Sequence, residues 1–248
     1  MVSKFKYGLE IMIKSLTFGD KFKISSTLLD LAYRDYIASR FLLNNQFILQ
    51  GLTLASTAVE KYLKSIIVFN SSDKKNYHFH FDNVEKLKIA VSDYYDISER
   101  FDPVFLDILE KAFKIRYYDN LREEIEIGIY LNQFLGELDV TIFNLETFIA
   151  ETQNFSRKFS SYWQAVESKE QNLFKNNFVL KKKDKKEFME KPGYAFSIHI
   201  RAGLGVNSQS TCVGKDISVE YNGRMSIFDE FLPSGEMARL NAYFRKAQ

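Results

Sequence analysis

Two charged residues fall on the apolar faces of predicted helices, where an unpaired charge is costly to bury. Arg116 follows Leu109 and Ala112 at helical spacing, and Glu60 precedes Leu63 by one turn. Each charge therefore requires an opposite charge close by. Two arrangements satisfy that requirement. One is an ion pair between Glu60 and Arg116 that sets the helix register, and the other is a cleft in which the Arg116 guanidinium binds a phosphate.

Three potential metal ligands alternate in the segment HFHFD. On a strand, His78, His80 and Asp82 would point to one side, as in some metal-dependent hydrolases. A catalytic zinc site needs further ligands, and His199 is the only other histidine in the sequence. We therefore predict no metal site and no cofactor. The two histidines are expected to cap the helix that follows or to border the same cleft as Arg116.

Two further segments are candidates for phosphate binding. The lysine run at 181–186 would attract phosphates, but Asp184 interrupts it, and such runs are more often solvated loops. The segment RAGLGVN at 201–207 has neither GxGxxG spacing nor the Gly-Lys-Ser/Thr ending of a Walker loop. The single cysteine, Cys212, excludes an intramolecular disulfide and a zinc–thiolate cluster. We predict no site in these segments.

Helical periodicity places Glu60 and Arg116 in one bundle. Residues 25–153 are predicted to form four or five antiparallel helices joined by short loops, so the fold class is mainly α, an up-and-down bundle. Ser25 or Ser26 is the predicted N-cap of the first helix, which ends near Asn45, and Pro103 follows an N-cap at Asp102. The clearest helix has one apolar face, formed by Leu52, Ala55, Val59, Tyr62 and Ile66. The last helix has another, formed by Leu131, Leu135, Leu138, Ile142, Leu145 and Phe148.

The character of the chain changes on both sides of this bundle. Residues 1–24 have no clear pattern. Residues 154–248 form a predicted appendage, either small α+β or extended, with a lysine-rich loop and short strands in YAFSIHIRAG and DISVEYNGRMSIF. We expect the bundle to fold without this appendage.

Composition and charge limit the class of protein. A hydrophobic fraction of 46% supports a core, and 27% charged residues argue against general disorder. A net charge of +2 gives no reason to expect nonspecific nucleic-acid binding by the whole surface. The chain shows neither a signal peptide nor an apolar run long enough to span a membrane. We predict a cytoplasmic protein without membrane contact.

Several segments together resemble the HEPN (higher eukaryotes and prokaryotes nucleotide-binding) domain family. They are LASTAVEKYLKSII, a histidine-containing loop, EKLK and KAFKIRYYDN, in that order, over roughly residues 25–150. The resemblance implies an up-and-down helical bundle that is usually dimeric, so we expect a homodimer.

The resemblance also implies a ribonuclease motif, from which this sequence departs. Many HEPN proteins are metal-independent ribonucleases in which a histidine follows an arginine after four to six residues. Here the corresponding positions after Arg116 are Leu121, Arg122 and Glu123, so the motif is degenerate. Family members without the histidine are often linked to nucleotide binding or to partner nucleotidyltransferases. In such members an arginine–tyrosine–acid segment lines a cleft.

We therefore expect this protein to bind a nucleotide or RNA phosphate in a cleft of a dimeric bundle. The predicted ligand-binding residues are Arg116, Asp119, Glu60, Tyr117, His80 and His78. Tyr117 and Tyr118 are expected to pack in the core or interface, and the alternative is that one of them stacks on a base. One alternative is a non-catalytic interaction subunit of a toxin–antitoxin or defence-type complex. A weaker one is a metal-independent endoribonuclease in which Tyr117 or Tyr118 supports the chemistry. The sequence leaves the ligand, the partner protein and catalysis itself open.

Overall fold

The described part of the chain is mainly helical and contains one three-stranded antiparallel sheet, which confirms the predicted fold class. The computed structural model describes residues 17–70, 84–116, 124–152, 155–201 and 205–213. The helices are α1 (Phe18–Asn44), α2 (Ile48–Asn70), α3 (Val84–Val91), α4 (Ile97–Arg100), α5 (Pro103–Ile115), α6 (Leu131–Thr152), α7 (Ser161–Glu167), α8 (Gln171–Phe174) and α9 (Lys185–Met189). The strands are β1 (Ile125–Tyr130), β2 (Gly193–Arg201) and β3 (Gly205–Val213). A short 3₁₀ turn at Arg157–Phe159 precedes α7.

Helix α1 begins earlier than predicted. Thr17 and Asp20 form a capping box, in which the Thr17 hydroxyl accepts from the Asp20 amide at 3.1 Å and the Asp20 carboxylate accepts from the Thr17 amide at 3.2 Å. The predicted N-cap at Ser25 or Ser26 is therefore wrong. Ser25 is buried inside α1, and its hydroxyl donates to the Ser65 carbonyl of α2 at 3.2 Å. The Ser25 hydroxyl therefore bonds to another helix and does not cap α1.

The apolar faces predicted for α2 and α6 are confirmed. All five predicted face residues of α2 are fully buried, and they are Leu52, Ala55, Val59, Tyr62 and Ile66. Five of the six named on α6 are buried, and Phe148 is half-buried at its edge. These two faces contribute to the same hydrophobic core, so local periodicity was sufficient to identify them.

The start of α5 is also confirmed. The Asp102 carboxylate accepts from the amides of Val104 and Phe105 at 2.7 and 3.2 Å, and Pro103 occupies the first helical position, where no amide hydrogen is needed. Helix α5 ends at Ile115, and Arg116 is its C-cap residue.

A buried polar network connects the bundle to the chain that follows it. The fully buried guanidinium of Arg40 on α1 donates to the Asp139 carboxylate of α6 and to the Lys175 carbonyl after α8. The Tyr36 hydroxyl also donates to Asp139, at 2.7 Å. Burial raises the pKa of the Asp139 carboxyl, and the Arg40 charge opposes that rise. Because a buried pair of this kind tolerates little misalignment, it helps to specify how these segments pack.

The sheet contains one predicted strand and two unpredicted ones. Strand β2 matches the prediction from YAFSIHIRAG. It pairs with β1, which lies within the range predicted to be helical, and with β3, which had no prediction. The isoleucines of β1 and the alternate residues Phe196, Ile198 and Ile200 of β2 join the same core as α2 and α6. The core therefore crosses the predicted boundary at 153/154; independent folding of the two segments stays a prediction.

The lysine-rich segment contains the start of a short helix. Asp184 is the N-cap of α9, and its carboxylate accepts from the Glu187 amide at 2.8 Å. The predicted strand in DISVEYNGRMSIF lies outside the described residues. None of the described helices has the length and apolar content to cross a membrane.

Candidate functional site

Arg116 lies at the C-terminal end of α5, partly buried against α2. Its Nη1 donates to the Thr57 hydroxyl at 3.2 Å, and its guanidinium carbon lies 5.0 Å from the centroid of the Phe113 ring. The ring face attracts a cation, and the carbonyls at a helix end carry partial negative charge. The side chain is therefore oriented by a hydroxyl, a ring and a helix end. The Thr57 contact holds Nη1 of the guanidinium against α2.

Glu60 is buried one turn after Thr57 on α2, so it lies on the stretch of α2 that Arg116 contacts. The Lys64 ammonium donates to Glu60 Oε1 at 2.6 Å, in a pair spaced four residues apart. Lys64, on the same helix, therefore supplies a compensating charge for the Glu60 carboxylate. A structural role for Glu60 does not require Arg116 as the compensating cation.

The last turns of α5 carry two lysines, and each is paired with an acid on the same helix. Lys111 pairs with Asp107 at 3.2 Å, and Lys114 pairs with Glu110 at 3.0 Å, each with the acid four residues earlier.

The structure brings Arg116 and Glu60 to one stretch of α2. The other predicted site residues, Tyr117, Asp119, His78 and His80, lie outside the described residues, as do Tyr118 and Asp82. Their roles stay predictions. Arg116 and Glu124 are the last and first described residues on either side of the segment that contains Tyr117 and Asp119.

A groove of about 620 Å³ lies elsewhere, along α1. Its lining includes Tyr33, Arg34, Ile37, Phe41, Ser161 and Glu170. The Tyr33 hydroxyl donates to Glu170 at 2.7 Å, and burial together with this carboxylate raises the pKa of Tyr33. No predicted site residue lines the groove. Sequence offered no signal for it, because α1 and the segment around α7 and α8 are brought together only by folding.

A second group of polar residues was also missed. Glu124, Glu126 and His199 bring ligand atoms within 4.8 Å of one another. The alternation in EIEIGIY and SIHIR was a strand signal that could have placed these residues on one sheet face. Neither segment, however, indicates that the two strands pair with each other.

No family model, curated protein or solved structure matches this chain. The resemblance to HEPN domains therefore depends on the segments LASTAVEKYLKSII, EKLK and KAFKIRYYDN, and it stays a prediction, as does the homodimer.

Proposed function

We propose that this protein binds a nucleotide or RNA phosphate through Arg116 at the end of α5. The observation that carries the proposal is the state of the guanidinium, which is partly exposed and is oriented by Thr57 and Phe113. A planar guanidinium presents several donors in one plane and matches two phosphate oxygens at once. Prior orientation lowers the entropy lost when the anion binds.

We propose that further residues complete this cleft. Glu60, already paired with Lys64, forms its buried wall on α2. We propose that Tyr117 stacks on a base and that Asp119 hydrogen-bonds the sugar or base. His78 and His80 are proposed to border the phosphate. The degenerate motif around Arg116 favours binding over ribonuclease chemistry.

A second candidate function is that of a non-catalytic subunit that binds another chain. Phe41 and Phe47, near the turn between α1 and α2, are each more than half exposed, and Phe41 also lines the groove. Exposed aromatic residues beside a groove are typical of protein interfaces. The groove also carries charged groups: Arg34 pairs with Asp30 at 2.9 Å, and Glu170 accepts from the Tyr33 hydroxyl.

The test of the first proposal is ligand binding by Arg116→Ala. We expect a fluorescent single-stranded RNA or nucleotide to bind the wild-type protein, and the variant to bind about tenfold more weakly or worse, because a charge-assisted hydrogen bond to phosphate is lost. The dependence of the RNA affinity on salt should also fall by about one counterion. Fluorescence anisotropy at several salt concentrations measures both effects.

Arg100→Ala is the matched control. Arg100 ends the short helix α4, and its guanidinium carbon lies 5.0 Å from the Tyr95 ring centroid, the same distance as in the Arg116–Phe113 contact. This variant should bind like the wild-type protein. Failure of the wild-type protein to bind either ligand would contradict the proposal and favour the interaction subunit. RNA cleavage in EDTA that is lost in Arg116→Ala would instead favour the endoribonuclease.

A further inference from the structure

The sheet places Glu124, Glu126 and His199 beside one another through its register. Glu126 on β1 is the direct antiparallel partner of His199 on β2. Directly opposed residues have their Cβ atoms about 4.5–5.5 Å apart. Glu124 lies one residue before β1, and its Oε2 contacts His199 Nε2 at 3.2 Å. The paired strands therefore carry Glu126 and His199, and Glu124 joins them from the residue that precedes β1.

The spacing of the three ligand atoms is close to that around a metal ion. His199 Nε2 lies 3.2 Å from Glu124 Oε2 and 3.1 Å from Glu126 Oε1. Zinc–ligand distances of about 2.0–2.2 Å at tetrahedral angles put neighbouring ligand atoms about 3.3–3.6 Å apart. Both histidine–glutamate separations are slightly shorter than that. Small side-chain rotations would be enough to centre an ion among the three ligands.

Burial supplies a second and independent observation. The Glu126 Oε2 atom is buried and has no hydrogen-bond partner among the described residues. An unsatisfied carboxylate oxygen is costly to bury, and a cation beside it would remove that cost. The side chains of Glu126 and His199 are 16% and 19% exposed, whereas that of Glu124 is 55% exposed. The group is thus sheltered on one side and open to solvent on the other.

We propose that Glu124, Glu126 and His199 bind a divalent transition-metal ion of the zinc or manganese type. Two carboxylates and a neutral imidazole balance a charge of two and form a donor set that such ions accept, whereas magnesium and calcium prefer oxygen alone. Three protein ligands leave a coordination position open towards solvent. This site is separate from the proposed phosphate site and does not depend on it.

The test is zinc binding by the full chain after treatment with EDTA and removal of the chelator. Isothermal titration calorimetry with zinc chloride should show one ion bound per chain. His199→Gln and Glu126→Gln should each weaken binding by more than about tenfold, since each removes a direct ligand. Magnesium chloride should bind far more weakly. Glu124→Gln changes the most exposed ligand and should also weaken zinc binding, which provides a test even where a substitution at a buried position prevents folding.

The double variant His78→Gln/His80→Gln is the matched control. It removes the other two histidines of the chain and should leave zinc affinity unchanged. Loss of binding in this variant with retention in His199→Gln would assign the metal to HFHFD and overturn the proposal. A wild-type protein that binds no zinc would also overturn it, leaving a histidine in contact with two carboxylates. Arg116→Ala should bind zinc normally, so the metal and phosphate proposals fail separately.

Discussion

Glu146 on α6 is a buried carboxylic acid with two hydroxyl partners. The Tyr62 hydroxyl donates to its Oε1 at 2.7 Å, and the Ser160 hydroxyl donates to its Oε2 at 2.8 Å. Burial raises the pKa of Glu146 to about 7, although the two hydrogen bonds lower it. This residue therefore changes charge near neutral pH inside the core, where a charge is costly.

The pH dependence of stability should show this ionisation. The pKa of Glu146 is about 7 in the folded protein against an ordinary value of 4.5, so the folded state holds a proton that the unfolded state has released. The contribution of Glu146 to stability is fully present below the unfolded pKa of 4.5 and is lost as pH rises through the folded pKa of about 7. The unfolding free energy changes by roughly 3 kcal/mol over that range. Glu146→Gln stays neutral, so the fall in its unfolding free energy between about pH 5 and pH 8 should be smaller by about 2.5 kcal/mol.

Urea unfolding at both pH values measures the effect. Glu99→Gln, at an exposed position of α4, is the control and should keep the wild-type pH dependence. Parallel pH profiles for Glu146→Gln and the wild-type protein would show that burial does not hold the proton on Glu146.

At the scale of elements, the contact between α1 and α2 depends on a small residue. A Cβ atom at Gly51 would lie 2.6 Å from Leu43 Cγ and 3.2 Å from the Leu43 backbone nitrogen. The Ser39 hydroxyl of α1 also donates to the Gly51 carbonyl, at 2.7 Å. The two helices therefore approach closely at a position where α2 has no side chain, just after the turn that joins them.

Gly51→Ala should destabilise the protein by about 1–3 kcal/mol, because overpacking outweighs the gain of up to about 1 kcal/mol in helix propensity. Gly19→Ala in the first turn of α1 is the matched control. A Cβ atom there would lie 3.9 Å from the Thr17 hydroxyl, in ordinary contact, so the change should be neutral or stabilising. Thermal unfolding, followed by circular dichroism, should show a lower melting temperature than that of the wild-type protein only for Gly51→Ala. Similar melting temperatures for the two variants would mean that Leu43 moves aside without cost.

At the scale of the whole molecule, one core joins the bundle to the segment after residue 153. Strand β1 precedes α6, and its partner β2 lies in the C-terminal segment. The Lys175 carbonyl accepts from buried Arg40, and the Tyr162 ring packs near Tyr36. Removing that segment would leave a buried arginine without one acceptor and β1 without its partner, which is costly for both.

A chain that ends at residue 153 should therefore lose cooperative unfolding and bind a hydrophobic dye, although periodicity alone predicted that the bundle folds without its appendage. Dye fluorescence and urea unfolding of the truncated and full chains make the comparison. A truncated chain that unfolds cooperatively, with little loss of stability, would support the predicted boundary at 153/154.

The sequence by itself determined the elements whose signals are local. The buried face of α2 repeats every three or four residues, and α5 begins at an aspartate followed by Pro103, so both were predicted correctly. Arg116 and Glu60 stood out because a charge interrupted such a face. These signals need only neighbouring residues.

Tertiary structure decided the features that join distant parts of the chain. Ser25 resembled a cap, but a carbonyl forty residues away accepts its hydrogen bond. Arg40 and Asp139 lie on separate helices, and only packing brings them together. The pairing of Glu126 with His199 is set by the register of β1 on β2. Such contacts depend on which strands pair and which faces meet, and many alternatives share the same local pattern, so only the folded chain selects one.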